Sequence, residues 1–309
     1  MITAVTLLFV FVGAVAAYLA WAVQAAASGV APVWLVAGAV AIYVAIYLVG
    51  AAVAFTLAWI YRTPRPPQDR IGAAGALRLY VGEAIAMAKL HPRMAFGWWF
   101  MRDPPARPAH APVLLLHGVL CNAGAWRGTL APLAAASDNP VYTLSYGPPQ
   151  APIEIFAEQL AARIDEIRAA TGAAKVTLVA HSMGGLVARA YLRRHGAQHV
   201  RRLVTLGTPH HGSVHAWLFP GACLAQMRPG SAWLAELNRN ESAGPPVRVV
   251  SLWSWHDSMV APQASARLEG ADNVGFTGIG HNSLVEHPEV VARVVLEIQR
   301  AVAGSAPPE

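Results

Sequence analysis

Apolar positions follow two regimes along this chain. Up to Tyr61 they are almost continuous, and no Asp, Glu, Lys or Arg occurs before Arg62. Ile2 to Val23 and Val33 to Tyr61 are each long enough to span a bilayer. Between them Gln24 to Pro32 is small and weakly polar, and with Ser28, Gly29 and Pro32 it predicts a tight hairpin. From Pro112 onward, short apolar runs alternate with helical periodicity. Val113 to His117, Val141 to Ser145, Val176 to Ala180, Val200 to Leu206, Val247 to Trp253 and Asn273 to Thr277 read as strands. Ile153, Phe156, Leu160, Ile164 and Ile167 mark one face of a helix closed by Gly172, and Pro288 to Val302 predicts a last helix. Alternating strands and helices imply an α/β domain, a mostly parallel sheet with helices on both faces. Ligands of such sheets bind beyond the C-terminal ends of the strands.

The stretch between the two regimes is mixed. Thr63 to Arg70, with Pro64, Pro66 and Pro67, reads as a stiff extended linker. Ala76 to Leu90 is helical by pattern, with Leu77, Val81, Ile85 and Ala88 on one face and Arg78, Glu83 and Lys89 largely off it. His91-Pro92 is expected to end that helix. Phe96, Trp98, Trp99, Phe100 and Met101 then cluster between Arg93 and Arg102, either at lipid headgroups or packed on the following domain. The expected organisation is a transmembrane hairpin over 1–61, a juxtamembrane segment over 62–111, an α/β domain over 112–303 and a tail over 304–309.

Composition agrees with a membrane part joined to a soluble one: 55% of residues are hydrophobic and 13% charged. The net charge of +6 comes without a Lys/Arg-rich block or a nucleic-acid motif, so nucleic acid is not an expected partner. A signal peptide ending near Ala25-Ala26-Ala27 is the rival to the first span. It would lack a basic n-region, and its removal would leave the second apolar run in place. Arg62, Arg65, Arg70 and Arg78 follow the second span against only Asp69 and Glu83, while the hairpin is uncharged. The positive-inside rule then puts both ends and the downstream domain on the cytoplasmic side. Cys121 and Cys223 are too few for a zinc site and read as small buried hydrophobes rather than a bridge.

The chemistry concentrates in Lys175 to Leu192. A buried strand runs into His181-Ser182-Met183-Gly184-Gly185, and Leu186, Val187, Tyr191 and Leu192 continue at helical spacing. A serine on such a turn is lifted clear of the sheet and set beside the N–H groups of a helix N-terminus. Ala180-His181-Ser182-Met183-Gly184, the pair His117-Gly118 and Leu206-Gly207-Thr208-Pro209-His210-His211-Gly212-Ser213 together resemble the α/β-hydrolase fold. Within it they look most like bacterial triacylglycerol lipases and carboxylesterases. Gln226-Met227-Arg228-Pro229-Gly230-Ser231, leading to Leu237-Asn238, is similar to a segment of such lipases. The resemblance covers Pro112 to about Ala303 and departs from the common pattern at Ala180, where glycine is usual.

That resemblance implies a serine hydrolase in which Ser182 is the nucleophile, His281 the general base and Asp257 the residue that orients the imidazole, in the order Ser, Asp, His along the chain. His287, and Asp272 or Glu269, are the competitors for the last two roles. The backbone N–H groups of Val119 and Met183 would form the oxyanion hole. His117 is expected to hydrogen-bond structurally, His256 to be a solvated neighbour, and His210 and His211 to be a polar loop rather than a metal pair. An insertion at about 214–246 carries Trp217, Leu218 and Phe219 and would form an apolar cap that binds the acyl chain. The expected activity is hydrolysis of carboxylic, mainly lipidic, esters with no metal or organic cofactor, at a bacterial inner membrane. An acyltransferase or thioesterase using the same triad, and a non-catalytic membrane scaffold, are the alternatives.

Overall fold

The computed structural model describes residues 2–97, 101–239 and 244–303. Trp98, Trp99 and Phe100 of the aromatic cluster, part of the insertion and the tail lie outside the described residues. The chain forms two compact units, 1–50 and 51–309, so the division falls inside the second apolar run rather than at the linker.

In the first unit, helix α1 (Ile2–Ala27) is followed by the start of helix α2 (Pro32–Ile60). Helix α1 continues through Gln24 to Ala27, where the sequence pattern places the hairpin, because alanines extend a helix at no side-chain cost. Ser28 and Gly29 make the turn, with Ser28 N–H bonded to Gln24 O at 2.9 Å. The Tyr18 hydroxyl donates to Leu35 O at 2.5 Å, tying the two helices. Among the described residues one helix, Pro32–Ile60, is long and apolar enough to cross a membrane; the described apolar stretch of α1 is the shorter Ala16–Ala27.

The second unit begins with the end of α2. The proline-rich linker is extended, as its composition dictates, but it is fastened down. Thr63 N–H donates to Gln263 Oε1 at 2.9 Å, Ala264 N–H donates to Thr63 Oγ1 at 2.8 Å, and Arg65 Nε donates to Trp255 O at 2.7 Å. Helix α3 (Ala73–Ala95) follows and differs from its sequence pattern twice. It runs past His91-Pro92, since Pro92 sits in its last turns and deletes only one donor there. It is also turned inside out: Leu77 and Ile85 are 63% and 48% exposed, whereas Glu83 is fully buried.

The remaining elements alternate in chain order: β1 (Val113–Leu116), α4 (Leu130–Ala134), β2 (Val141–Leu144), α5 (Ile153–Thr171), β3 (Val176–His181), α6 (Met183–His195) and β4 (Val200–Leu206). Two short helices, α7 (Ala222–Gln226) and α8 (Ala232–Leu237), occupy the insertion before β5 (Arg248–Ser254), β6 (Asp272–Phe276) and α9 (Pro288–Ala303). All strand pairs are parallel, in the order β2-β1-β3-β4-β5-β6. Strand side chains alternate between the two faces. Leu114, Leu116 and Leu178 pack with Phe156, Leu160 and Leu186 from α5 and α6 on one face. Val113, Leu115 and Val204 pack with Val290, Val294 and Ile298 of α9 on the other. Both faces are buried, as a parallel sheet requires, and this fixes the strand ends from which the site is built.

Candidate active site

Strand β3 ends at His181, and Ser182 takes φ 55° and ψ −126° before α6 begins at Met183. A non-glycine residue in such a conformation costs about 1–3 kcal/mol and persists only where its surroundings leave no alternative. Those surroundings are specific here. A Cβ on Gly184 would stand 2.6 Å from His117 O, and one on Gly185 would stand 2.1 Å from Thr208 Oγ1, so only glycine lets α6 start this close to β1 and β4. Ser182 N–H donates to Leu206 O at 2.8 Å, and Thr208 Oγ1 donates to Ser182 O at 2.9 Å. Ala180 is wholly buried, in register with Leu116 and Thr205, so its methyl group is accommodated.

Asp257 and His281 come from the loops after β5 and β6 and meet beside this turn. His281 Nδ1 lies 2.9 Å from Asp257 Oδ2, with the aspartate 1% and the histidine 5% exposed. The other oxygen, Asp257 Oδ1, accepts Met259 N–H at 2.8 Å and Val260 N–H at 2.7 Å, which orients the carboxylate toward the imidazole. Burial acts to lower the pKa of His281, but the charge and hydrogen bond of Asp257, together with the charge of Glu83, outweigh it and hold it above 6.5. The competitors stand elsewhere. Asp272 pairs with Arg293 at 3.5 Å and Arg248 at 3.7 Å, Glu269 is exposed, and His287 directly precedes α9.

Four more histidines, His117, His181, His256 and His210, are buried as well. His117 Nδ1 bonds Gly118 O at 2.8 Å while Nε2 accepts Tyr146 N–H at 3.3 Å, and its ring stacks on Tyr146 at 3.9 Å. Burial pushes it down to about 4, so it is neutral. His181 is held well below 6.5 by burial and the neighbouring His281, and its Nε2 donates to His281 O at 3.1 Å. His256, expected to be solvated, is 3% exposed because the fastened linker covers it. His210 is buried between Arg189 and Thr205, and Asn238 Nδ2 donates to His210 O at 3.0 Å, joining the 206–213 loop to the insertion. Among the described residues no group of three or more His, Cys, Asp or Glu is disposed to hold a metal ion.

Sequence reasoning missed Glu83. Its carboxylate reaches from α3 into the base of the His281 loop. Oε1 accepts from Ser258 Oγ at 2.7 Å, Asn282 N at 2.8 Å and Asn282 Nδ2 at 2.9 Å. Oε2 accepts from Ser283 N at 3.1 Å and Ser283 Oγ at 2.8 Å. The two residues after His281 and the one after Asp257 thus share one anchor, and Gly280 passes so close that a Cβ on it would collide with Glu83 Oε2.

Ser182, His281, Val119 and Phe219 line a common cavity of about 320 Å³. Met87, Leu90 and Met94 of α3 line it as well, so its walls come from before β1 and not from the insertion alone. Trp217 and Leu218 lie outside it, 62% and 48% exposed, and the guanidinium of Arg228 stacks 4.4 Å from the Trp217 ring. Gly118 passes against the turn, since a Cβ there would lie 3.0 Å from Ser182 Cβ. Met183 is the first residue of α6, its side chain in the core. Cys121 and Cys223 are both free thiols, and burial pushes Cys121, beside the cavity, up to about 12.

Comparison with known proteins agrees with this architecture. Residues 111–230 match the sequence model of a family described as the alpha/beta hydrolase fold. The sheet order, the turn at Ser182 and that match agree on an α/β-hydrolase fold. Among solved structures, a mature lipase of Bacillus licheniformis superposes with TM-score 0.54 at 21% identity, over 64% of this chain and 94% of that one. Lipase B of Aspergillus fumigatus does so with TM-score 0.54 at 23% identity, over 60% of this chain and 51% of that one. At these identities the likeness carries the fold. A triacylglycerol lipase of Pseudarthrobacter phenanthrenivorans is 49% identical over 59 residues, 19% of this chain and 18% of that protein. A triacylglycerol lipase of Burkholderia plantarii matches equally over 59 residues and 16% of its length, so under a fifth of either relative is spanned.

Proposed function

We propose that the protein is a membrane-anchored serine hydrolase of carboxylic esters, acting on lipidic substrates. The observation that carries this reading is the Asp257–His281 pair beside Ser182, with Ser182 and His281 opening into one largely apolar cavity. Ser182 Oγ attacks the ester carbonyl as His281 takes its proton, and the resulting imidazolium is stabilised by Asp257. The N–H groups of Met183 and Val119 hold the oxyanion. Collapse of the tetrahedral intermediate passes the proton to the leaving alcohol, and water repeats the sequence to free the acid. Glu83 is a positioning residue that keeps the His281 loop in place. The local match to triacylglycerol lipases supports a fatty ester as substrate, with the acyl chain between Phe219 and the α3 side chains Met87 and Leu90.

A fluorophosphonate probe on the full chain in detergent should label the wild type and not Ser182→Ala. Absence of label on folded wild-type protein would remove the enzyme reading. Helix α2 is the proposed span, with α1 as its antiparallel partner and the hydrolase unit on the cytoplasmic side. Protease added outside sealed spheroplasts should then leave that unit intact, and its digestion would reverse the orientation.

A further inference from the structure

A second cavity, of about 780 Å³, lies between the end of α2, the linker and the start of α3. Its size falls within the range of small-molecule sites, roughly 300–1,000 Å³. Its polar lining is mainly basic, three arginines and His256 beside the carboxylate of Asp257. Arg62, Arg65 and Arg70 all border it, and among the described residues none of the three is within ion-pair distance of a carboxylate. Arg65 is half-buried, and both that burial and the charge of Arg62 lower its pKa. Arg62 is exposed, donates to Trp59 O at 2.8 Å and stacks 3.9 Å from the Trp59 ring, and its charge repels that of Arg65, a repulsion that an anion between them would relieve.

Two further groups border the same space. Gly72 caps α3 without a side-chain hydrogen bond, leaving the first N–H groups of a 23-residue helix directed at the cavity edge formed by Gly72 and Ala73. His256 lines the cavity as well and is 3% exposed. Its Nδ1 accepts Gly278 N–H at 3.1 Å, so the proton of the neutral ring sits on Nε2, and that buried atom has no partner. Burial and the Arg65 charge push this histidine down to about 4, which fixes the neutral donor form. Two carboxylates are close: Asp69 accepts from Thr277, and Asp257, which lines the cavity, is bonded by His281 and two backbone N–H groups. The remaining wall is apolar, with Phe55, Ala58 and Trp59 from the last turns of the proposed span.

We propose that this cavity binds a phosphoryl anion, as the headgroup of an anionic glycerophospholipid or as a soluble phosphate ester. Arg62, Arg65 and Arg70 would neutralise the phosphoryl oxygens, and His256 Nε2–H and the α3 N-terminus would complete the donor set. The apolar wall favours the lipid, whose chains would lie along the end of α2. The site does not depend on Ser182 chemistry.

The test is native mass spectrometry of full-length Ser182→Ala protein released from detergent. Dioctanoyl phosphatidylglycerol, dioctanoylglycerol or inorganic phosphate is added in separate runs, so hydrolysis consumes none of them. Phosphatidylglycerol should be retained, and Arg62→Gln with Arg70→Gln should reduce retention at least about tenfold, the size of one lost charge-assisted bond. Arg78→Gln, the same charge change on an exposed part of α3, should reduce it far less. Phosphate bound as tightly as the lipid would place the source in solution while keeping the phosphoryl site. Equal retention of dioctanoylglycerol, equal loss in Arg78→Gln, or no loss in an Arg62/Arg70 variant of unchanged melting temperature would overturn the proposal.

Discussion

Among the described residues two glutamates are fully buried on helices, and they are satisfied in opposite ways. Glu297, on α9, is surrounded by cations: Arg202 from β4 bonds one oxygen, while Arg293 Nε at 3.0 Å and Arg300 Nη1 at 2.9 Å bond the other. Glu83, on α3, accepts every bond described for it from a neutral donor, two hydroxyls, one amide and two backbone N–H groups. In the first case the negative charge is cancelled where it stands, and the result is a staple between helix and sheet. In the second the geometry is fixed just as tightly but the charge survives, and it contributes to holding His281 above 6.5. A carboxylate bound by neutral donors can position a loop and also set its field. An ion-paired one can only position.

The contrast breaks most forcefully at Glu297. Glu297→Ala leaves buried Arg202 uncompensated and should cost roughly 3–5 kcal/mol in denaturant unfolding, with ester hydrolysis by the still-folded fraction unchanged. Replacing both partners, Arg202→Met with Glu297→Leu, should recover most of that loss. A double variant as unstable as the single one would mean that the pair does more than neutralise itself.

Glu83→Gln sharpens the other side. It keeps the shape but removes the charge and turns an amide toward hydrogen-bond donors. The expected loss in kcat is about tenfold, the worth of one charge-assisted bond. The pH profile then separates field from scaffold. On the proposed mechanism the neutral imidazole is the base, so activity should rise as His281 loses its proton, at a pH above 6.5 in the wild type. Removing a neighbouring negative charge lowers that pKa, so the acidic limb of kcat/KM should move to lower pH in the variant. A rate loss with an unmoved limb would make Glu83 a purely mechanical anchor.

The strands and the long helices of the α/β domain were legible because each carries its own period: Val200–Leu206 is bounded identically by pattern and by structure. The Ser182 turn was legible for a related reason, since its constraints lie within a few residues in sequence. Glu83 was not. Its donors lie 175 to 200 residues further on, and nothing local distinguishes it from the surface charge that helical periodicity suggests. The same holds for His256, whose burial depends on a linker almost two hundred residues before it. Helix α3 misled because its apolar stripe is real but faces outward, while its other side, with Met87, Leu90 and Glu83, faces the α/β domain. Periodicity identifies an amphipathic helix without saying which side meets protein.

The anchoring of the His281 loop by Glu83 also sets an order of events during biosynthesis. Ser283 emerges 200 residues after Glu83, a delay of roughly 10–40 s at about 5–20 residues per second. Throughout that interval the carboxylate must stay hydrated, so α3 cannot settle into its final seat while the sheet is being made. The roof of the cavity is therefore translated first and closed last, and a nascent chain stalled before β6 would hold the Ser182 turn without the contact that seats α3 over it.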